Sequence, residues 1–406
     1  MSKAPLWQMF FSFLKLGCTS FGGPMAHIGF FRTEFVINKG WISERDYFDL
    51  VALCQFLPGP ASSQVGMAIG MLRQGYTGAL VAWLGFTLPS ALLMLALAQG
   101  LSQYSSLVPA GLLHGLKIAA FAIIAQAVYM MAKTYCLSLR TGAITLFSLL
   151  LLNVSTASYW QVLTIAVGAL LGISFLTAAA PSDKPTLLVN ISKHAALGWG
   201  ALFLLLLLGL PFAAAYCQLP LISSIEAFFR AGSLVFGGGH AVLPMLQADF
   251  VSSGAVPADS FIAGYGAVQA VPGPLFTFAG FLGASINPEY VNPTTGVGMS
   301  SGLLGGVIAL LAIFAPAFLL LAAVLPFWQT LRAIPWMQQA MAGIGASVVA
   351  MMLNTLYHPV WTSTILTPLD LLLAVAALLA LHFGKLSAWS LVLLSPTLFC
   401  ISNLLF

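Results

Sequence analysis

Apolar residues run along this chain in long blocks, and Lys, Arg, Pro and Gly punctuate them into thirteen hydrophobic segments. These span roughly 6–36, 46–72, 76–99, 107–133, 141–155, 158–178, 195–216, 221–249, 259–286, 299–327, 334–357, 365–383 and 386–405. Most are long enough to cross about 30 Å of hydrocarbon as helix. The stretch from Pro181 to His194 is the one hydrophilic linker of any length, and its central position marks it as a join between two halves.

A repeat supports that join. Phe13 to Pro24, which contains Lys15 and Phe21-Gly22-Gly23-Pro24, aligns at a constant offset of 215 with Phe228 to Gly239, which contains Arg230 and Phe236-Gly237-Gly238-Gly239. The match runs on through Glu34 and Asp249. After a one-residue slip, Gln55 and Pro58-Gly59-Pro60 fall on Gln269 and Pro272-Gly273-Pro274, and Pro89 later matches Pro316. Each half thus holds two Gly- or Pro-broken segments followed by four plain ones, with 195–216 as an odd connecting helix. Interrupted segments at corresponding positions of two repeats point to a transporter's binding site.

Loop charge bears on topology. If all thirteen segments cross, Arg32, Lys39 and Arg45 lie opposite the other loop cations. If both broken segments of each half are instead re-entrant hairpins, nine segments cross. Lys3, Arg32, Lys39, Arg45, Arg73, Lys133, Arg140, Lys184, Lys193, Arg332 and Lys385 then share one face, which the positive-inside rule makes cytoplasmic. Making only the Pro-Gly-Pro segments re-entrant leaves the untidy split. The nine-crossing arrangement is preferred, and it puts the N-terminus in the cytoplasm and the C-terminus outside. The expected fold is an all-α polytopic membrane protein of two inverted-topology repeats, 1–180 and 218–406, joined by a linker and connecting helix over 181–217. Broken backbone at membrane depth must be covered by protein or face a water-filled cavity. A hairpin limb of about 12 residues reaches about 18 Å, so tips entering from opposite faces should meet near the midplane.

Composition closes off other classes. The 406 residues are 60% hydrophobic and 6% charged with a mean hydropathy of +0.99, against roughly 25% charge in soluble domains, and a soluble globular protein is excluded. The net charge of +4 comes without any long basic run, so no nucleic-acid partner is expected. Cys18, Cys54, Cys136, Cys217 and Cys400 show no metal or disulfide spacing. No phosphate-binding loop of the ATPase type, zinc-protease motif or nucleophile elbow is present; neither an ATP-driven pump within this chain nor an enzyme is expected, and no cofactor or metal.

The candidate chemistry lies at the breaks. Both glycine turns offer flexible backbone ahead of a helix start, where an anion is favoured, although glycines also serve simply to let helices approach. Gln55, Gln64 and Gln269 supply amides beside the Pro-Gly-Pro breaks, either for a substrate or for the freed backbone. Lys15 and Arg230 hold the same repeat position in apolar surroundings, where a lone cation costs roughly 2.5–3.5 kcal/mol. They are read as substrate charges, with snorkelling or an Arg230–Glu226 pair as the alternative. Lys117 is a third membrane cation without a counterpart. His27 and His240 follow the turns, and with Glu34 and Asp249 they are candidates for proton coupling.

These residues carry a family resemblance over both halves. Phe21-Gly22-Gly23-Pro24-x-Ala26-His27 with Leu57-Pro58-Gly59-Pro60, and Phe236-Gly237-Gly238-Gly239-His240 with Val271-Pro272-Gly273-Pro274, resemble long-chain, two-domain members of the chromate ion transporter family. The resemblance implies a bacterial inner-membrane protein that exports chromate, with sulfate as a second candidate substrate and halves of opposite topology. The second half departs by carrying Gly239 for Pro24 and Val242 for His27, so the halves are not expected to play equal roles. Expulsion of a dianion gains about 4.6 kcal/mol per 100 mV, which needs no ATP. Sulfate uptake or exchange, and an anion channel, are the alternatives; the partners expected are the oxyanion and the bilayer, with a homodimer left open.

Overall fold

The computed structural model describes residues 5–103, 110–154, 158–177, 192–236, 239–286, 302–331, 334–383 and 386–395, and among them there is no strand. The first half begins with α1 (Leu6–Thr19), α2 (Gly23–Phe31), which runs into a π-helical turn over Arg32–Asn38, α3 (Glu44–Phe56) and α4 (Ala61–Gln103). It continues through α5 (Ala110–Tyr135), α6 (Leu139–Leu152) and α7 (Ser158–Phe175). After the connecting helix α8 (Lys193–Cys217), the second half opens with α9 (Pro220–Leu234), a 3-10 turn over Gly239–Val242, α10 (Leu243–Leu246), a π-helical turn over Gln247–Val251, α11 (Ala258–Val268), a 3-10 turn over Leu275–Thr277 and α12 (Phe278–Ser285). The remainder is α13 (Leu303–Val324), α14 (Trp328–Leu331), α15 (Pro335–Thr355), α16 (Thr362–Thr364) and α17 (Pro368–His382), then a helical turn over 388–395.

Each break falls where the backbone chemistry demands it. Pro58 and Pro60 cannot continue α3, since proline lacks the N–H and clashes with the preceding turn; Gly59 between them sits at φ +120°, and Gly273 of the matching Pro-Gly-Pro at +105°. Gly22, at φ +99°, ends the link from α1 and caps α2. Ser43 starts α3 by accepting the Asp46 N–H at 3.1 Å. Beyond these breaks, α4 is two helices rather than one. Gln74 and Gly75 leave helical geometry, and Gly70 and Gly78 press backbone to backbone across that turn, so 61–73 and 76–103 lie side by side. The expected segments 46–72 and 76–99 are divided at this point.

Aromatic contacts show the broken segments folding back. Phe13 of α1 meets Phe35 at 4.6 Å between ring centres, and Phe228 of α9 meets Phe250 at the same 4.6 Å. These are equivalent positions of the repeat, as are the two π-helical turns beginning at Arg32 and Gln247. At the far end of the next pair of arms, the Arg73 guanidinium lies over the Trp41 ring and reaches its carbonyl, which brings the start of α3 beside the end of 61–73. In the second half Phe261 of α11 packs edge-on against Phe278 of α12 at 5.2 Å.

Small residues bring these arms onto the straight helices. A Cβ on Gly17 would stand 2.6 Å from the Phe86 carbonyl oxygen, and one on Gly232 would collide with that of Ile313; these are again matching positions. Replacing Gly232 with Val is therefore expected to abolish stable insertion, read as loss of the monodisperse peak in detergent, because backbone cannot retreat as a side chain can. In the later helices Ser148 and Ser347 join α6 to α15 at 2.8 Å, and Gly168 and Gly172 seat α7 on Gly343.

Among the described residues, five helical stretches are long and apolar enough to cross a bilayer, and α6, α7, α12 and α17 are shorter apolar helices. The expected crossing at 141–155 is a helix of only 14 residues. A capping box at Ser138 and Thr141 starts it, and it stops at Asn153, whose amide bonds the Leu149 carbonyl. α8 packs along α9 and α13 and leaves Leu204, Leu205, Leu208 and Phe212 exposed, the surface of a peripheral helix facing lipid.

Candidate functional site

The tips of the folded-back arms bond to one another across the two halves. Gly59 donates its N–H to the Val235 carbonyl at 2.7 Å, and Gly273 donates to the Ser20 carbonyl at 3.0 Å. Each bond is the other's counterpart under the repeat alignment. The supports correspond as well: Gly59 approaches Ala317, and Gly273 approaches Ser90, each residue lying directly after the matched proline of the other half's straight helix. The freed backbone is satisfied locally. Gln64 donates to the Pro58 carbonyl at 2.8 Å, and the Thr277 hydroxyl donates to that of Pro274 at 2.8 Å.

A cavity of about 660 Å³ opens beside this junction. Gly22, Gly23 and Pro24 line it at the start of α2, Ala61 at the start of α4, Gly239 and His240 at the start of one 3-10 turn and Leu275 at the start of the other. Four helical segments thus begin at one space. A helix start carries N–H groups without intrahelical partners and a partial positive charge, which makes it an anion site. Gln55, Gly59, Gln269 and Gly273 add the ends of α3 and α11 to the wall. Among the described residues, no Asp, Glu, Lys or Arg lines it.

Of the residues singled out from the sequence, Gly22, Gly23, Pro24, Gln55, Gly59, Gly239, His240, Gln269 and Gly273 come together here. Pro58, Pro60, Pro272 and Pro274 make the breaks without lining the cavity. Phe21 packs on Trp389 at 5.7 Å, and Phe236 packs against the core. Gly237 and Gly238 lie outside the described residues. His27 is buried behind the tip, its ring nitrogens 3.2 Å from the Ser20 carbonyl and 3.2 Å from the Ser62 hydroxyl. It braces the carbonyl that Gly273 bonds, and Gln64 braces Pro58 in the same way.

The three cations stand elsewhere. Lys15 is on the exposed face of α1. Arg230 is held by Glu226 at 2.6 Å and Asp249 at 3.0 Å, so its charge is met by carboxylates. Lys117 bonds Asp259 at 2.8 Å and the Ser363 carbonyl at 3.1 Å. Glu34 pairs with Lys39 at 3.4 Å. The sequence reading missed the far wall, where α5 contributes Gln126, Met130, Thr134 and Tyr135, and Ser387 follows α17. Gln126 and Thr134 lie two turns apart on an otherwise apolar helix face, and that spacing was the available signal.

The described family model of the chromate transporter matches the chain twice, over residues 7–173 and 222–400. Among curated proteins, the chain is 29% identical over 349 residues to the chromate transport protein of Pseudomonas aeruginosa, covering 85% of this chain and 78% of that one. It is 27% identical over 398 residues to the chromate transport protein of Cupriavidus metallidurans, covering 94% and 89%. It is 27% identical over 340 residues to a probable chromate transport protein of Synechococcus elongatus, covering 78% and 75%. No solved structure matches the chain.

Proposed function

The chain belongs to the chromate transporter family, and from that premise we propose that it is a secondary transporter exporting chromate across the bacterial inner membrane. The observation that carries the site is the convergence of four helix starts on a cavity in which no charged side chain is among the described lining residues. A tetrahedral oxyanion offers only acceptor oxygens, which suits N–H groups at helix starts and the amides of Gln55 and Gln269. With no fixed cation among its described residues, the wall holds the dianion by dipoles, tightly enough to replace water and loosely enough to let it go. The membrane potential, negative inside, then drives the anion outward.

In this reading the halves, 1–180 and 218–406, are inverted repeats joined by 181–217, and their four folded-back arms are re-entrant hairpins meeting at the cavity, with nine helices crossing. The family matches begin at residues 7 and 222, the same separation as the glycine motifs, and support two homologous halves. The reciprocal bonds Gly59–Val235 and Gly273–Ser20 support a two-fold relation between them. The N-terminus is cytoplasmic and the C-terminus external. Cysteine labelling checks this once the exposed Cys18 and Cys217 are replaced: Lys39→Cys is expected to react only from the cytoplasmic side and Asn287→Cys only from outside. With thirteen crossings both would react from outside.

The function itself is tested by uptake of labelled chromate into inside-out vesicles under an imposed potential. Saturable uptake that sulfate slows, and that falls at least tenfold when Gln55 and Gln269 are both changed to Ala, is the expected result. Flux linear in concentration would make the protein a channel, and flux seen only in right-side-out vesicles would make it an importer.

A further inference from the structure

Among the described residues at the cavity wall, His240 is the one ionisable side chain apart from Cys54 and Tyr135, and its ring is not left to choose its own orientation. Its Nδ1 faces the hydroxyl of Tyr265 in hydrogen-bond contact, while its Nε2 is not part of that contact. Tyr265 lies on α11 and is almost wholly buried, clamped edge-on against Phe278 at 5.7 Å between ring centres. One helical turn further on, Gln269 caps the end of α11. A buried phenol hydroxyl must find a partner, and a neutral imidazole carries its proton on one nitrogen only.

We propose that Tyr265 is a positioning residue for the anion: its hydroxyl donates to Nδ1 of His240, fixing the tautomer that carries hydrogen on Nε2 and offers that N–H to an oxyanion in the cavity. The hydrogen-bond bookkeeping is consistent along the chain of groups. The phenol donates to Nδ1, and Nε2–H is the donor left for the substrate. The opposite tautomer would present a lone pair, which repels an acceptor-only ligand. A neutral N–H, unlike an imidazolium, adds no fixed charge to a wall whose described residues otherwise carry none. The arrangement belongs to one half only: under the repeat alignment the position of Tyr265 is held by Val51, and that of His240 by Met25. The amides of Gln55 and Gln269 are matched between the halves, whereas the imidazole donor belongs to the second half alone, a division of labour between unequal halves.

The assignment rests on the cavity being the chromate site, and the test separates the two. Initial rates of labelled chromate uptake into inside-out vesicles are measured for the wild type, Tyr265→Phe, His240→Gln, His240→Leu and the double variant Tyr265→Phe/His240→Gln, each normalised to folded protein by size-exclusion fluorescence. Tyr265→Phe is expected to raise KM about tenfold with Vmax little changed. His240→Leu is expected to raise it further, and His240→Gln, whose amide N–H can take the place of Nε2–H, to stay within about threefold of wild type. In the His240→Gln background, removing the Tyr265 hydroxyl is expected to cost nothing more. An equal cost of Tyr265→Phe in both backgrounds would make the hydroxyl a packing or folding element and overturn the assignment, as would a Tyr265→Phe variant with wild-type KM. A wild-type protein that carries no chromate would instead overturn the reading of the cavity itself.

Discussion

Gly273→Val is expected to reduce chromate flux by at least two orders of magnitude while leaving some folded protein in the membrane. The residue occupies φ +105°, a region that costs an L-residue about 1–3 kcal/mol. A Cβ there would lie 2.8 Å from the Ser90 hydroxyl and 3.4 Å from the Phe86 carbonyl oxygen. The β-branched side chain therefore forces the tip away from the straight helix, and the 3.0 Å bond from its N–H to the Ser20 carbonyl is lost with it. Since Gly273 also lines the cavity, the distortion falls on the helix starts that converge there. Ser90 can rotate aside, so Gly273→Ala is expected to be milder, about tenfold. Gly59, at φ +120° with a Cβ position 3.0 Å from Gln64 Nε2, should follow the same order. Uptake assays on protein normalised by detergent size exclusion distinguish lost transport from lost fold.

The second large effect concerns Arg230. Arg230→Met leaves Glu226 and Asp249, whose side chains are 13% and 7% exposed, without the guanidinium between them. Breaking a buried ion pair from one side costs about 3–5 kcal/mol, enough to prevent recovery of folded protein from a membrane. Neutralising all three groups together, Arg230→Met with Glu226→Gln and Asp249→Asn, removes the uncompensated charge and is expected to restore folded protein. The restored variant also decides the role of the arginine. If its charge held the substrate, the triple variant would fold without carrying chromate; with the cation committed to its two carboxylates, the variant transports. Lys15→Ala, on an exposed face, is expected to change neither folding nor flux.

The contrast between Lys15 and Arg230 shows where reading the chain alone reaches its end. The breaks were legible because Pro58, Pro60, Pro272 and Pro274 leave the backbone no helical option, and the repeat was legible because its motifs recur in order at a near-constant offset. Their matching positions pointed to a shared substrate role; the structure instead follows the alternative for each, with Lys15 exposed and Arg230 paired with Glu226 and also with Asp249. That difference depends on Glu226, whose counterpart in the first half is Phe11; one side chain changes the environment of its neighbour a helical turn away. The pairing of tips across halves was also beyond sequence, since Gly59 and Val235 are joined by backbone atoms that every residue possesses. The α5 wall was hidden for a different reason: Gln126 and Thr134 sit in an unbroken apolar helix, and attention to broken segments passes over an intact one. His27 and Gln64 were visible as polar residues beside the breaks, but whether they faced substrate or backbone was a matter of rotamer. The structure turns both toward carbonyls.

In the proposed function, the tip bonds, the helix starts and a wall without charge among its described residues make an anion site built mainly from backbone, in which side chains chiefly hold the backbone in place. That is the claim on which transport, selectivity and the inequality of the halves all depend. Equilibrium binding of radiolabelled chromate to the purified protein in detergent tests it most directly, with Gly273→Val, Gly59→Val and Lys15→Ala alongside the wild type. One saturable site per chain, lost in both glycine variants and unchanged in Lys15→Ala, is the result this account predicts. Binding that survives in both glycine variants, or that disappears with Lys15, would contradict it.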